Sequence, residues 1–195
     1  MDNEYHFVTH WQVQASIDEV MNILADATDL PRWWPAVYLD VVRLKAGDAN
    51  GVGEEVSLYT KGWLPYTLHW DFQVAEVERG RRILIKAEGD FVGQGEWTFT
   101  QVGEWVDITY DWRIEAEKPM LKRLTWLLRP LFSANHHWAM ARGVESLELE
   151  LARRRAHSDA ERALIPAPPP PTKRLPFVLA AGAVILLGWL ILRRD

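Results

Sequence analysis

The chain has 195 residues, room for one domain of ordinary size and an appendage. Hydrophobic residues make up 48% and charged residues 25%, a globular composition, and the net charge of -5 argues against nucleic acid, which requires a basic face. Cysteine is absent, which removes disulfides, thiolate catalysis and Cys-ligated zinc together, whereas eleven tryptophans are several times the ordinary share.

In chain order, Tyr5, Phe7, Thr9, Trp11, Val13 and Ala15 alternate with polar His6, His10, Gln12 and Gln14, the period of a half-buried strand. Ser16-Ile17-Asp18-Glu19 then carries a capping box and opens a short helix through Val20, Ile23 and Leu24. Asp29-Leu30-Pro31-Arg32-Trp33-Trp34-Pro35 restarts the helix, with Pro31 suited to a first turn and Pro35 stopping it. From residue 36 to about 117 one strand follows another. The best run is Tyr66, Leu68, Trp70, Phe72 and Val74, with Thr67, His69, Asp71 and Gln73 facing the other way. Gly51-Val52-Gly53 and Gly93-Gln94-Gly95 lack the third glycine and the strand-to-helix setting of a dinucleotide loop, and they are expected to be hairpin turns.

Pro119 opens a long C-terminal helix that Pro130 is expected to interrupt or kink. Before Pro130 the segment 120–129, with Leu121, Leu124, Trp126, Leu127 and Leu128, is apolar on more than one face, which suits a cavity mouth or a membrane surface. After it, His137, Met140, Val144, Leu147 and Leu151 form one stripe, whose expected partner is the inner face of the sheet.

Beyond Arg153-Arg154-Arg155 the composition changes. Residues 158–174 contain Pro166-Ala167-Pro168-Pro169-Pro170-Pro171 and are expected to form a semi-rigid spacer. Leu175–Leu192 carries no charge and would span roughly 27 Å as a helix, with Trp189 and basic pairs as anchors. This predicts a single membrane-spanning helix over 175–192. The acidic start lacks a signal-peptide pattern, and Arg155, Arg162, Lys173 and Arg174 precede the span, so the domain over 1–157 is expected on the cytoplasmic side.

The element order β-α-α-β6-α is an α+β pattern that a lipocalin barrel does not share, since it lacks two helices after its first strand. With Asp29-Leu30-Pro31-Arg32-Trp33-Trp34-Pro35 early and Asn135-His136-His137-Trp138-Ala139-Met140-Ala141-Arg142-Gly143 in the last helix, residues 3–155 resemble the polyketide cyclase/dehydrase and lipid-transport family of the START-like (SRPBCC) superfamily. The resemblance implies a helix-grip fold, a curved antiparallel sheet holding the last helix around a hydrophobic cavity. It transfers no catalytic set.

The inward strand positions are almost uncharged, and Trp70, Phe72, Trp97, Tyr110, Trp112 and Met140 are the candidate ligand-lining residues. His137, on the apolar stripe, is a candidate for a ligand's polar head. Adjacent helical residues point about 100° apart, so His136 and His137 cannot share a metal; no metal and no cofactor is expected. No inward carboxylate offers acid–base chemistry. The expected function is a membrane-tethered binding or transfer module for a lipid, isoprenoid or polyketide-like molecule. The alternative is a cyclase or aromatase that acts by positioning its substrate. Nothing in the sequence sets an oligomeric state.

Overall fold

The computed structural model describes residues 4–117 and 119–173, with the backbone alone over 119–128. Strand β1 (Glu4–Gln14) leads into α1 (Ile17–Leu24), a single 3-10 turn (Ala27–Asp29) and α2 (Leu30–Trp33). Six strands follow: β2 (Tyr38–Lys45), β3 (Glu55–Lys61), β4 (Thr67–Glu78), β5 (Arg82–Gly89), β6 (Phe91–Val102) and β7 (Trp105–Ala116). Helix α3 (Pro119–Arg155) and the short α4 (Asp159–Leu164) complete the described elements. The strands form one antiparallel seven-stranded sheet in the order β1-β7-β6-β5-β4-β3-β2, so the first strand returns beside the last.

Alternation sets the faces. Tyr5, Trp11 and Val13 of β1 are buried beside Ile114, Ile108 and Val106 of β7, while His6, His10 and Gln12 face out. At the end of β1 the chain turns through the expected capping box: the Glu19 amide donates to Ser16 Oγ (3.3 Å) and the Ser16 amide donates to Glu19 Oε2 (2.8 Å).

Two expectations need correction. Gly93-Gln94-Gly95 is not a turn but lies inside β6, paired with Ile114, Arg113 and Trp112. The β5–β6 turn is Gly89-Asp90, with Gly89 at φ 108°. Gly95 is needed for space: a β-carbon there would run into the Tyr110 and Trp112 rings of the next strand. Pro130 does not interrupt α3, which is one helical element of 37 residues, so of the two outcomes expected there only a kink is left. A proline removes its own amide donor, and the flanking turns carry the helix across that loss. The side chains of 119–128, and hence the predicted faces of Leu121, Leu124, Trp126, Leu127 and Leu128, lie outside the described residues.

Helix α3 crosses the inner side of the sheet with Phe132, Met140, Leu147 and Leu151 buried. Its far end is fastened to the first helices by charge. Glu150, only 1% exposed, accepts two hydrogen bonds from Arg32 (2.6 and 2.8 Å) and one from Arg154 (2.8 Å). Arg32 makes a second bidentate pair with Asp29 (2.6 and 2.7 Å), so α2 and α3 share one guanidinium. Burial alone would raise the Glu150 pKa, but the hydrogen bonds from Arg32 and Arg154 outweigh it and hold the carboxyl below its ordinary value. Arg155 clasps Glu19 in the same way, at 2.7 and 3.0 Å.

The spacer expected over 158–174 contains α4, and its described end turns back to the domain. Thr172 donates through Oγ1 to the Gly62 carbonyl (3.1 Å), and Lys61 donates to the Thr172 carbonyl. The predicted membrane span 175–192 lies outside the described residues; among those described, no helix is long and apolar enough to cross a membrane.

Gly143 marks a close approach of α3 to Trp11 of β1 and to Trp34 at the end of α2, because a β-carbon there would overlap both rings. Alanine normally gains about 1 kcal/mol over glycine inside a helix, but overpacking a filled site costs about 1–3 kcal/mol. Gly143→Ala is therefore expected to lower stability by about 1 kcal/mol in denaturant titrations; a stabilised variant would contradict this packing.

Candidate ligand cavity

The inner face of the sheet and α3 do not close completely. They leave two adjacent cavities of about 140 Å³ and about 130 Å³. Both are bounded by Trp34, Tyr38, Trp70, Tyr110 and Met140, which form a shared wall. The first lobe is completed by Leu30, Phe72, Val74, Ile83, Ile85 and Trp97, and its lining includes exposed Asp18, Asn22, Asn50 and Arg79. Those residues place its mouth between α1 and the β2–β3 and β4–β5 loops. The second lobe is lined by Phe7, Leu68, Phe91, Trp112, Ile114, Phe132 and His136, and none of its lining residues is fully exposed. Each lobe approaches the size of an apolar void of about 150 Å³ that stays dry and accepts a benzene ring.

The walls are a chain of touching rings. Trp97 stacks on Tyr110 with centroids 4.0 Å apart, and Tyr110 continues onto Trp112 at 5.6 Å. Trp112 meets Trp70 at 5.6 Å, and Trp70 meets Phe91 edge-on at 6.0 Å. The Trp70 indole donates to Thr60 Oγ1 (3.1 Å), which fixes its orientation. Of the carboxylates in the lining, Asp18 is exposed and Glu54 accepts a 2.5 Å hydrogen bond from Arg43.

The structure brings six of the seven predicted lining residues to these cavities. Trp70, Tyr110 and Met140 touch both lobes, Phe72 and Trp97 the first, and Trp112 the second. His137 does not reach either. It is exposed, and its Nδ1 lies 2.7 Å from the Ser133 carbonyl one turn back. Its neighbour His136 takes the place expected of it, stacked on Phe7 at 4.2 Å with Nε2 3.3 Å from Thr9 Oγ1. Periodicity from Met140 allows either i−3 or i−4 as the next inward position. Gly143, which admits Trp34 and Trp11, centres the buried face on 136, 140, 143 and 147, and so selects His136.

Burial first, and the neighbouring His137 second, pull the His136 pKa from 6.5 down to about 4. His136 therefore presents a neutral polar edge to the cavity at physiological pH. Trp34 and Tyr38 were also missed as lining. The sequence placed Trp34 in a short proline-bracketed helix and Tyr38 in the strand region that opens at residue 36, where Val37, Leu39 and Val41 alternate as the apolar set, and neither pattern turns the ring towards the cavity.

A family profile described as polyketide cyclase/dehydrase and lipid transport matches residues 5–152. The chain belongs to that family. Solved structures agree on the fold. TTHA0849 of Thermus thermophilus superposes with a TM-score of 0.67 at 17% identity, over 78% of this chain and 100% of that one. The Zhui aromatase/cyclase of a Streptomyces species gives 0.62 at 17% identity, over 80% of this chain and 98% of its own. Norcoclaurine synthase of Thalictrum flavum, solved with dopamine and hydroxybenzaldehyde, gives 0.55 at 16% identity, over 80% and 90% of the two chains. No curated protein matches in sequence. At these identities the neighbours establish this family member's fold, the helix-grip arrangement of a curved sheet around a long last helix.

The histidine makes the stability of this family member pH-dependent. Its folded pKa is depressed, so the unfolded chain holds the proton more tightly; full stability above pH 6.5 declines as the pH falls towards 4. Glu19, drawn from 4.5 to about 2 chiefly by Arg155, acts lower down: its contribution is complete above pH 4.5 and is lost towards pH 2. Between pH 6.5 and 4.5 the His136 effect therefore separates from that of Glu19. Wild-type stability is expected to drop by about 2 kcal/mol across that window, and His136→Gln, which cannot take up the proton, is expected to flatten the profile. An unchanged slope in His136→Gln would contradict a buried neutral histidine.

Proposed function

We propose that the protein binds and carries an uncharged hydrophobic small molecule in the two-lobed cavity. The observation behind this reading is the pair of ring-walled apolar voids that meet at Tyr38, Trp70, Tyr110 and Met140. A ligand that covers about 500 Å² of apolar surface, its own and the pocket's, gains roughly 12 kcal/mol before costs. Binding costs of about 4 kcal/mol leave roughly micromolar affinity without any ion pair. That is strong enough to load a molecule and weak enough to release it. The lipid-transport part of the family description fits this reading.

The apolar run Leu175–Leu192 extends the proposal to a membrane-tethered carrier with its domain on the cytoplasmic side. In that setting a hydrophobic cargo would be drawn from, or returned to, the adjacent bilayer. A second reading, cyclisation or aromatisation by positioning, is favoured by the flat rings of Trp70, Trp97, Tyr110 and Trp112 that line the lobes, against which a folded chain would lie. It also draws on the fold shared with an aromatase/cyclase and with a synthase solved with small aromatic molecules.

Native mass spectrometry of the full-length chain in a non-ionic detergent is expected to show an added small apolar mass. Ala139→Phe, which puts a ring into the second lobe, is expected to lose it. A wild-type chain that arrives bare and takes up no uncharged probe such as N-phenyl-1-naphthylamine would overturn the carrier reading. For the tether, alkaline carbonate is expected to leave the full-length chain with the membranes; its release into the supernatant would overturn that part.

A further inference from the structure

Several buried polar atoms lack a hydrogen-bond partner among the described residues, and they fall into two kinds. Trp33 Nε1, Trp34 Nε1, Arg142 Nε and the hydroxyls of Tyr5 and Ser146 are themselves fully buried, whatever the rest of the side chain touches. The hydroxyls of Tyr38 and Tyr110 also have no partner among the described residues, but they are not among those fully buried atoms, and both side chains line both lobes. Tyr110 is 7% exposed, held between the stacked Trp97 and Trp112 rings, and Tyr38 packs edge-on against Trp34 at 5.2 Å.

Burial raises the pKa of both phenols, and Tyr38 raises that of Tyr110 further. Both therefore keep their protons at physiological pH, as two O–H groups on the wall that the lobes share. An unsatisfied buried hydroxyl is costly, and a phenol is a better donor than acceptor because its lone pair is shared with the ring. What the site lacks is an acceptor.

We propose that Tyr38 and Tyr110 form a two-hydroxyl clamp for a neutral carbonyl oxygen, set between two apolar ends of the ligand that occupy one lobe each. This specifies the ligand class of the carrier reading and rests on that reading. Met140, unbranched and pliable, sits in the same shared wall and is the side chain whose rotation lets one molecule reach both lobes. A carboxylate is disfavoured at this position, because the cations of the lining are the exposed Arg79 in the first lobe and Lys61, committed to the Thr172 carbonyl, in the second.

Benzophenone and diphenylmethane test the clamp, since they share two phenyl rings and differ in a carbonyl against a methylene between them. In calorimetric titrations of the full-length chain in detergent, corrected with protein-free micelles, benzophenone is expected to bind roughly tenfold more tightly. Without donors the order would reverse, because the carbonyl must shed its water. Tyr38→Phe and Tyr110→Phe, which remove only the hydroxyl, are each expected to weaken benzophenone roughly threefold or more and to leave diphenylmethane unchanged. Equal affinities, or a preference that survives both substitutions, would overturn the clamp while leaving the apolar carrier intact. Binding of neither probe would overturn both.

Discussion

Flat rigid rings cannot fill a concave surface, and the rest of this structure follows from that constraint. The inner face of the sheet carries Trp70, Trp97, Tyr110 and Trp112 on three strands, and they stack along the sheet instead of interdigitating across it. Aliphatic side chains could repack to native density, whereas stacked indoles hold their positions and leave space beside them. Gly95 clears the path of the Tyr110 and Trp112 rings, and Gly143 admits the Trp11 and Trp34 rings to the helix. The glycines allow close approach where the rings meet backbone, and the voids remain beside the stack.

The covering helix is then held by two different means along its length. At its C-terminal end, Glu150 and Arg155 bind it to α2 and α1 through charge-assisted hydrogen bonds of 2.6–3.0 Å. Nearer the cavity, Phe132, His136 and Met140 face the void, where apolar contact replaces ion pairing. A firm anchor at one end and softer contact at the other is what a container needs if it is to hold its shape while a ligand enters. The family's breadth, from lipid transport to cyclisation, is consistent with a scaffold in which the void is built in and its chemistry is set by a few polar tips.

Much of the architecture is legible in the sequence because alternation and capping are local. Ser16 and Glu19 identify the first helix, and the runs from Tyr5 and Leu68 give strands whose buried faces are the ones observed. What failed depended on partners far along the chain. The space that Gly95 leaves is used by residues one strand away, so the glycines read locally as a turn. The choice between His136 and His137 is set by Gly143 against tryptophans of other elements, which a helical period cannot resolve. Glu150 carries no local signal of its role, since nothing near it in the sequence announces that Arg32 lies opposite it. The lining tryptophans were legible as a set, because their number and inward phase are properties of composition and period; the ring of Trp34 was not, because direction in a short connection has no period, nor that of Tyr38, which the alternation of Val37, Leu39 and Val41 left out of the apolar set.

The central claim is a dry, two-lobed void with Tyr110 in its dividing wall. Crystals of the protein equilibrated under xenon pressure test it most directly, because xenon occupies apolar cavities of this size and shuns hydrated ones. The account predicts two xenon sites, one on each side of Tyr110, beside Trp97 and beside Trp112. Tightly packed rings without xenon, or chains of ordered water in both lobes, would contradict it.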